Sequence, residues 1–191
     1  MNRMILLLNM LLSSFIFFGC SSEKEMIKYF DNHKQDIEQL KIVSEEFSKM
    51  YAFESCSIRE LNTGVKFSIR ANSPYKGTGG YYDPKTLDLI PYSNDTNICD
   101  SCTEKEVEIY KKMFADNRLK ELLKLNLKLK PSAIQITNEG LFIALGNPIK
   151  HKNKTEVEGG IFLPFKEGFN KTEVVKQIRN ESAYLYETVV E

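Results

Sequence analysis

Two cysteines three positions apart, Cys99 and Cys102, are the residues of this 191-residue chain whose spacing most directly suggests chemistry. They stand immediately before a stretch that opens with Thr103 and returns Glu106, the pattern of a capping box at a helix start. A Cys-x-x-Cys at a helix N-terminus can hold a thiolate, because the helix dipole favours negative charge there. The reaction would be thiol-disulfide exchange. The strand, aromatic and proline context of a thioredoxin motif does not surround the pair, so a structural disulfide is the simpler reading in an exported chain. With Cys56 there are three thiols besides Cys20. They allow a bridge from Cys56 to Cys99 or Cys102, or a local Cys99 to Cys102 bridge, and always leave one thiol over.

Other chemistry finds less support. The chain has two histidines. His33 lies within an apolar stripe, which suits a core histidine with one satisfied hydrogen bond better than a ligand. His151 is set among Lys150, Lys152 and Lys154, whose charges oppose a bound cation. No His-x-x-x-His pair occurs, and no nucleophile, base and carboxylate set is recognisable. The reading is therefore a non-enzyme with no metal and no cofactor. The segment Ser73 to Pro84 concentrates glycine, proline and the tyrosines Tyr75, Tyr81 and Tyr82. Such a loop could offer aromatic contact area to a ligand or partner. Its glycines match neither phosphate-loop spacing nor the dinucleotide fingerprint, and an ordinary surface loop between strands explains the same composition.

The first twenty residues decide where any of this happens. Arg3 precedes the apolar run Met4 to Leu12, and a small residue, Gly19, stands before Cys20, with polar Ser21-Ser22-Glu23-Lys24 following. That is the order of a secretory signal, with charged, apolar and cleavage regions in turn. Asn9 and the Ser13-Ser14 pair interrupt the roughly 20 apolar residues that a permanent span requires. Phe17-Phe18-Gly19-Cys20 resembles the lipobox of bacterial lipoproteins. The resemblance implies a signal peptide over 1–19, a lipid on the Cys20 sulfur and a polar tether over 20–25. It also implies a place in the bacterial cell envelope, with uncharged Ser21 favouring the outer membrane by analogy with lipoprotein sorting. Phe17 and Phe18 are bulkier than the family's commonest residues.

Behind the leader, residues 26–191 have the length of a single domain. Removing Arg3 with the leader leaves 25 basic against 26 acidic side chains, so bulk charge attracts neither nucleic acid nor an anionic surface. A composition 42% hydrophobic and 27% charged is that of a folded domain.

The elements follow from periodicity. Met26, Phe30, His33, Ile37, Leu40, Val43, Phe47 and Met50 recur every three or four residues, which predicts a helix of about seven turns packing one stripe on the domain's own sheet. Cys56 to Leu61 and Val65 to Arg70 alternate around Asn62-Thr63-Gly64, predicting a hairpin. A short strand is expected over Thr86 to Tyr92. A helix from Glu104 buries Val107, Tyr110, Met113 and Phe114, then shifts register at Asp116-Asn117 so that Leu119, Leu122 and Leu123 require a second helix. The lysines on its outer side, Lys111 to Lys130, alternate with acids and read as a solvated face. A second hairpin joins Ala133 to Thr137 and Leu141 to Leu145, a neighbouring strand covers Gly159 to Pro164, and Ser182 to Val190 is a last strand. Asn170 and Glu173 predict a capped short helix holding Val174, Val175 and Ile178. The sum is an α+β domain, an antiparallel sheet with a long N-terminal helix and further helices packed on one face.

The leader ending at Cys20, the helix with Phe30, His33, Ile37 and Leu40, the central hairpin and Tyr184-Leu185-Tyr186-Glu187 are together similar to a loose group of small bacterial lipoproteins without assigned activity. Some of these act as immunity or inhibitor proteins. The resemblance implies a lipid-anchored envelope protein with a non-catalytic binding or inhibitory, immunity-like module, its partners being the membrane and a protein or glycan. The alternatives are a thiol-disulfide active protein using Cys99 and Cys102, and a structural envelope lipoprotein.

Overall fold

The computed structural model describes residues 2–51, 53–62, 64–70, 77–90, 103–146, 149–150, 156–166, 174–179 and 181–190. For 2–22, 77–78, 149–150, 156–158, 174–175 and 187–190 it describes the backbone alone. The apolar stripe of the sequence becomes α1 (Asn2–Met50), in which Met26, Phe30, Ile37, Leu40, Val43 and Phe47 are buried. Two members of the stripe depart from it. His33 breaks the helical dihedrals (φ −121°, ψ 16°), kinking α1 and turning the seam, and Met50 at the helix end is 57% exposed. Helical backbone also continues N-terminally through 20–25, where a tether was expected, and Glu23 already pairs with Lys176.

The strands are β1 (Ser55–Leu61), β2 (Gly64–Arg70), β3 (Gly77–Tyr82), β4 (Leu89–Ile90), β5 (Ala133–Thr137), β6 (Gly140–Ala144), β7 (Ile149–Lys150), β8 (Glu156–Pro164), β9 (Val174–Gln177) and β10 (Tyr184–Val190). Between β4 and β5 come α2 (Glu104–Phe114) and α3 (Asn117–Leu129). One sheet contains all ten strands in the order β4-β3-β2-β1-β5-β6-β8-β10-β9, with β7 continuing the line of β6 along β8. Every pairing is antiparallel. The fold is α+β, as its alternation and capping signals require.

Both expected hairpins form, with Leu61 opposite Gly64 and Ile136 opposite Leu141. Alternation sends Cys56, Ile58, Val65, Phe67, Ile69, Ile134, Ile136, Leu141, Ile143, Ile161, Leu163 and Leu185 into one core with α1 and α3. Phe47 is the knot of that core. Its ring lies 5.0 Å from Tyr51, 5.8 Å from Phe53 and 6.2 Å, edge-on, from Phe67, joining α1 to β2. The register shift at Asp116-Asn117 is a true break: α2 ends at Ala115 and Asp116 caps α3, accepting from the Arg118 amide. The Thr103 and Glu106 capping box is formed in both directions.

Two local expectations are corrected. Gly77–Tyr82 is a strand paired along β2, because glycines at 79 and 80 let the chain pass close to Phe67, Ser68 and Leu89, where a Cβ would collide. Val174–Gln177 is the edge strand β9 against β10, not a helix. Adjacent β-branched Val174 and Val175 favour extended backbone. The turn that follows, with Arg179 at φ 42°, returns the chain directly to β10, so pairing supplies backbone partners that an isolated turn of helix would lack. Of the expected strand over Thr86 to Tyr92, Leu89–Ile90 form β4, Thr86 belongs to a turn in which Asp83 accepts from the amides of Lys85 and Thr86, and 91–92 lie outside the described residues.

Candidate functional site

Of the cysteines, Cys20 lies on the helical backbone of α1. Cys56 sits in β1 on the core side, 1% exposed, and is a free thiol, so the bridge from Cys56 to Cys99 or Cys102 is not made. Burial pushes its thiol well up from the ordinary range, against a weaker opposing hydrogen bond with the Ile136 backbone, and a thiol held protonated is a poor nucleophile. Alternation places Cys56 inward for the same reason as Ile58: it behaves as a small apolar residue. Cys99 and Cys102 lie outside the described residues, as do Tyr75 and His151.

The tyrosines separate because neighbours on a strand face opposite ways. Tyr81 is half-buried on the side of the sheet away from the helices, with the Lys66 ammonium 5.8 Å from its ring centre, a cation–π distance. Tyr82 is corrected as a contact residue: it is 1% exposed, inside the core. Its hydroxyl is buried without a hydrogen-bond partner among the described residues. We therefore expect Tyr82→Phe to preserve the packing and raise stability by about 1–3 kcal/mol, the desolvation penalty of one unsatisfied hydroxyl. Urea denaturation checks this, and a clear loss of stability would mean the hydroxyl is satisfied after all.

The His33 ring packs against Tyr29 at the kink of α1, centroids 4.7 Å apart and planes tilted by 46°. Tyr29 in turn donates to the Leu129 carbonyl at 3.0 Å, tying α1 to the end of α3. Among the described residues, no group of three or more His, Cys, Asp or Glu could hold a metal ion. The outer lysines are partly engaged with acids, Lys112 with Glu108, Lys120 with Asp88 and Lys128 with Asp36.

Two features were not foreseen from sequence. The first is a broad groove of about 710 Å³ lined by Glu60, Leu61, Asn62, Pro84, Pro131 and Ser132. Its walls are three separate chain reversals, the β1–β2 turn, the turn after β3 and the α3–β5 connection. Only the sheet order brings them together. It offers a carboxylate, an amide and a hydroxyl around an exposed leucine, a set for binding and not for nucleophilic chemistry.

The second is a polar cluster at the α2–α3 break. Asp116, its side chain 9% exposed, accepts from the Tyr51 hydroxyl at 2.7 Å and from both arms of the Arg118 guanidinium at 2.9 and 2.7 Å. Burial raises the carboxyl, but the hydrogen bonds from Arg118 and Tyr51 outweigh it and hold the group below its ordinary value. Burial and the same bond push Tyr51 up to about 12. A carboxyl depressed on folding stabilises the fold above its unfolded value near 3.9, and the contribution is lost as pH falls through the lower folded value. Asp116→Asn keeps the cap and removes the charge. We expect it to cost about 1–2 kcal/mol at pH 7, the gap closing below about pH 4. Urea midpoints across pH measure it; a gap that does not change with pH would exclude the charge as its source.

On the sheet face opposite the helices, Phe142, Phe162, Tyr184 and Tyr186 form a second apolar cluster, with Phe142 stacked on Phe162 at 4.4 Å and edge-on to Tyr186 at 5.3 Å. Phe162 and Tyr186 are buried within it. Among the described residues, no helix is long and apolar enough to cross a membrane. Compared with protein-family models, with curated proteins and with solved structures, the chain matches none.

Proposed function

We propose that this chain is a bacterial envelope lipoprotein, held by lipid on Cys20, whose α+β domain is a non-catalytic binding or inhibitory module for a protein or glycan partner. The observation that carries the reading is the leader itself: Arg3, the apolar run and Gly19-Cys20, with polar sequence directly behind. One buried acyl chain holds a protein weakly, at about 0.8 kcal/mol per methylene, and several together hold it firmly. The domain supports a binding role through the groove beside Leu61, whose polar groups are suited to recognition. The only cysteine with a described side chain, Cys56, is buried and supplies no reactive thiolate.

Mass spectrometry of the protein extracted from membranes tests the anchor. The expected result is a chain beginning at Cys20 with diacylglycerol on sulfur, and loss of membrane attachment in Cys20→Ala. An uncut leader or a bare thiol would overturn it. Affinity capture with the full lipoprotein, compared with a Leu61→Arg variant, tests the groove. Recovery of the same partner by both proteins would exclude the groove as its site.

A further inference from the structure

The helices pack on one face of the sheet, and strand alternation decides what the other face carries. Cys56, Ile58, Val65, Phe67, Ile134 and Ile136 turn toward the helices, while the residues between them, Ser57, Arg59, Lys66, Ser68 and Gln135, are exposed or half-buried on the opposite side. The register sets them in two rows across the strands. Arg59 stands opposite Lys66, and Lys66 opposite Tyr81. One pleat along, Ser57 lies between Ser68 and Gln135.

Charge on this face is one-sided. Arg59 and Lys66 are like charges directly across a strand pair, an arrangement that destabilises a sheet unless something offsets it. The Tyr81 ring offsets part of it, with the Lys66 ammonium 5.8 Å from its centre. Among the described residues, neither cation is paired with a carboxylate. The nearby acids are engaged elsewhere, Glu54 with Arg70 at 3.4 Å and Asp83 with the amides of Lys85 and Thr86. Glu60 follows Arg59, but alternation turns it to the other side.

We propose that this face binds an anionic polysaccharide, a chain of sugar rings bearing carboxylates, with Arg59 and Lys66 on the carboxylates and Ser57, Ser68 and Gln135 on the hydroxyls. The ladder already uses the backbone donors and acceptors of β1, β2 and β5, so an added peptide strand finds nothing to pair with and recognition falls to side chains. Apart from Tyr81, which already holds the Lys66 ammonium, the rows contain no apolar anchor of the kind that centres a protein interface. Successive strands present these groups about 4.8 Å apart, close to the advance of one ring along a linear glycan. The proposal rests on the binding-module reading and gives it a partner class, placed on the sheet face and not in the groove.

The test titrates the full lipoprotein, in nonionic detergent micelles, with an alginate hexasaccharide by calorimetry. Maltohexaose and hexaglutamate serve as the neutral and the peptide counterparts. The expected result is alginate binding that weakens about tenfold or more in Arg59→Gln/Lys66→Gln, with a smaller dependence on salt. Lys111→Gln/Lys112→Gln, which removes two exposed cations of α2, should leave binding unchanged. Gln135→Ala should weaken it several-fold and leave the salt dependence as it is. The substituted side chains are all exposed, so circular dichroism should match the parent protein. No alginate binding, binding undiminished in Arg59→Gln/Lys66→Gln, or hexaglutamate held as tightly as alginate overturns the proposal and leaves the anchor and groove readings standing.

Discussion

Phe47→Ala should cost about 3–5 kcal/mol, the largest loss expected from removing any single side chain of α1. The ring is 0% exposed and touches aromatic rings on three sides, Tyr51 on its own helix, Phe53 in the connection and Phe67 on β2. Phe67 is in turn edge-on to Phe114 of α2 at 6.1 Å, so the cavity would open where a helix, a sheet and a second helix meet. Such a junction collapses poorly, because each wall is held by its own backbone hydrogen bonds. Aromatic pairs add about 0.5–1.5 kcal/mol beyond area. Urea denaturation followed by circular dichroism measures the change. Phe47→Leu, which fills most of the space, should cost markedly less. Equal losses for the two variants would show that ring volume is not what matters.

The position of Phe47 was legible in the sequence, and the reason is the scale of the signal. Six residues of the stripe from Met26 to Phe47 recur at helical spacing and all are buried, so the period alone identified both the helix and its inward face. The same holds for the two hairpins, where alternation and turn chemistry agree at short range. His33 shows where a stripe misleads: a kink at that position rotates the face, which one-dimensional spacing does not encode.

The misreadings share a physical cause. Val174-Val175, two β-branched residues in too short a run to fix a strand alone, and Gly79-Gly80-Tyr81-Tyr82, which carries weak local preference, each became a strand because a neighbouring strand offered a ladder, β10 in one case and β2 in the other. Glycine in a strand records the closeness of another backbone, a fact about the partner and not about the segment. The groove was invisible for a related reason, since Leu61, Pro84 and Pro131 are distant in sequence and meet only through the sheet order. A cluster of tyrosines and glycines looks like a recognition loop, which in sequence puts Tyr82 at the surface. Once the segment is a strand, alternation must send one of Tyr81 and Tyr82 inward. The expectation of a leader, by contrast, rests on the order of charged, apolar and small residues and owes nothing to tertiary packing.

Gly160→Ala is expected to be as damaging as the loss of a core ring, although it adds one methyl group. In β8, Gly160 lies between Ala144 of β6 and Tyr186 of β10. A Cβ there would stand 2.1 Å from the Ile143 carbonyl oxygen and 2.8 Å from the Tyr186 ring. The ring can turn, at the expense of its edge-on contact with Phe142. The carbonyl cannot move without parting β6 from β8, near the middle of the sheet. Overpacking of this kind costs about 1–3 kcal/mol where side chains can yield, and more where backbone must. We expect about 3 kcal/mol or more, seen as a lower urea midpoint with an unchanged slope. The adjacent Gly159→Ala is the control. Its Cβ would meet the Met26 sulfur at 3.6 Å and the Tyr186 carbonyl at 3.8 Å, ordinary contact distances, so its cost should stay within about 0.5 kcal/mol. The two substitutions share chemistry and strand and differ only in which face of the sheet they meet. Similar losses for both would show that glycine's flexibility, and not the close passage of β6, is what residue 160 requires.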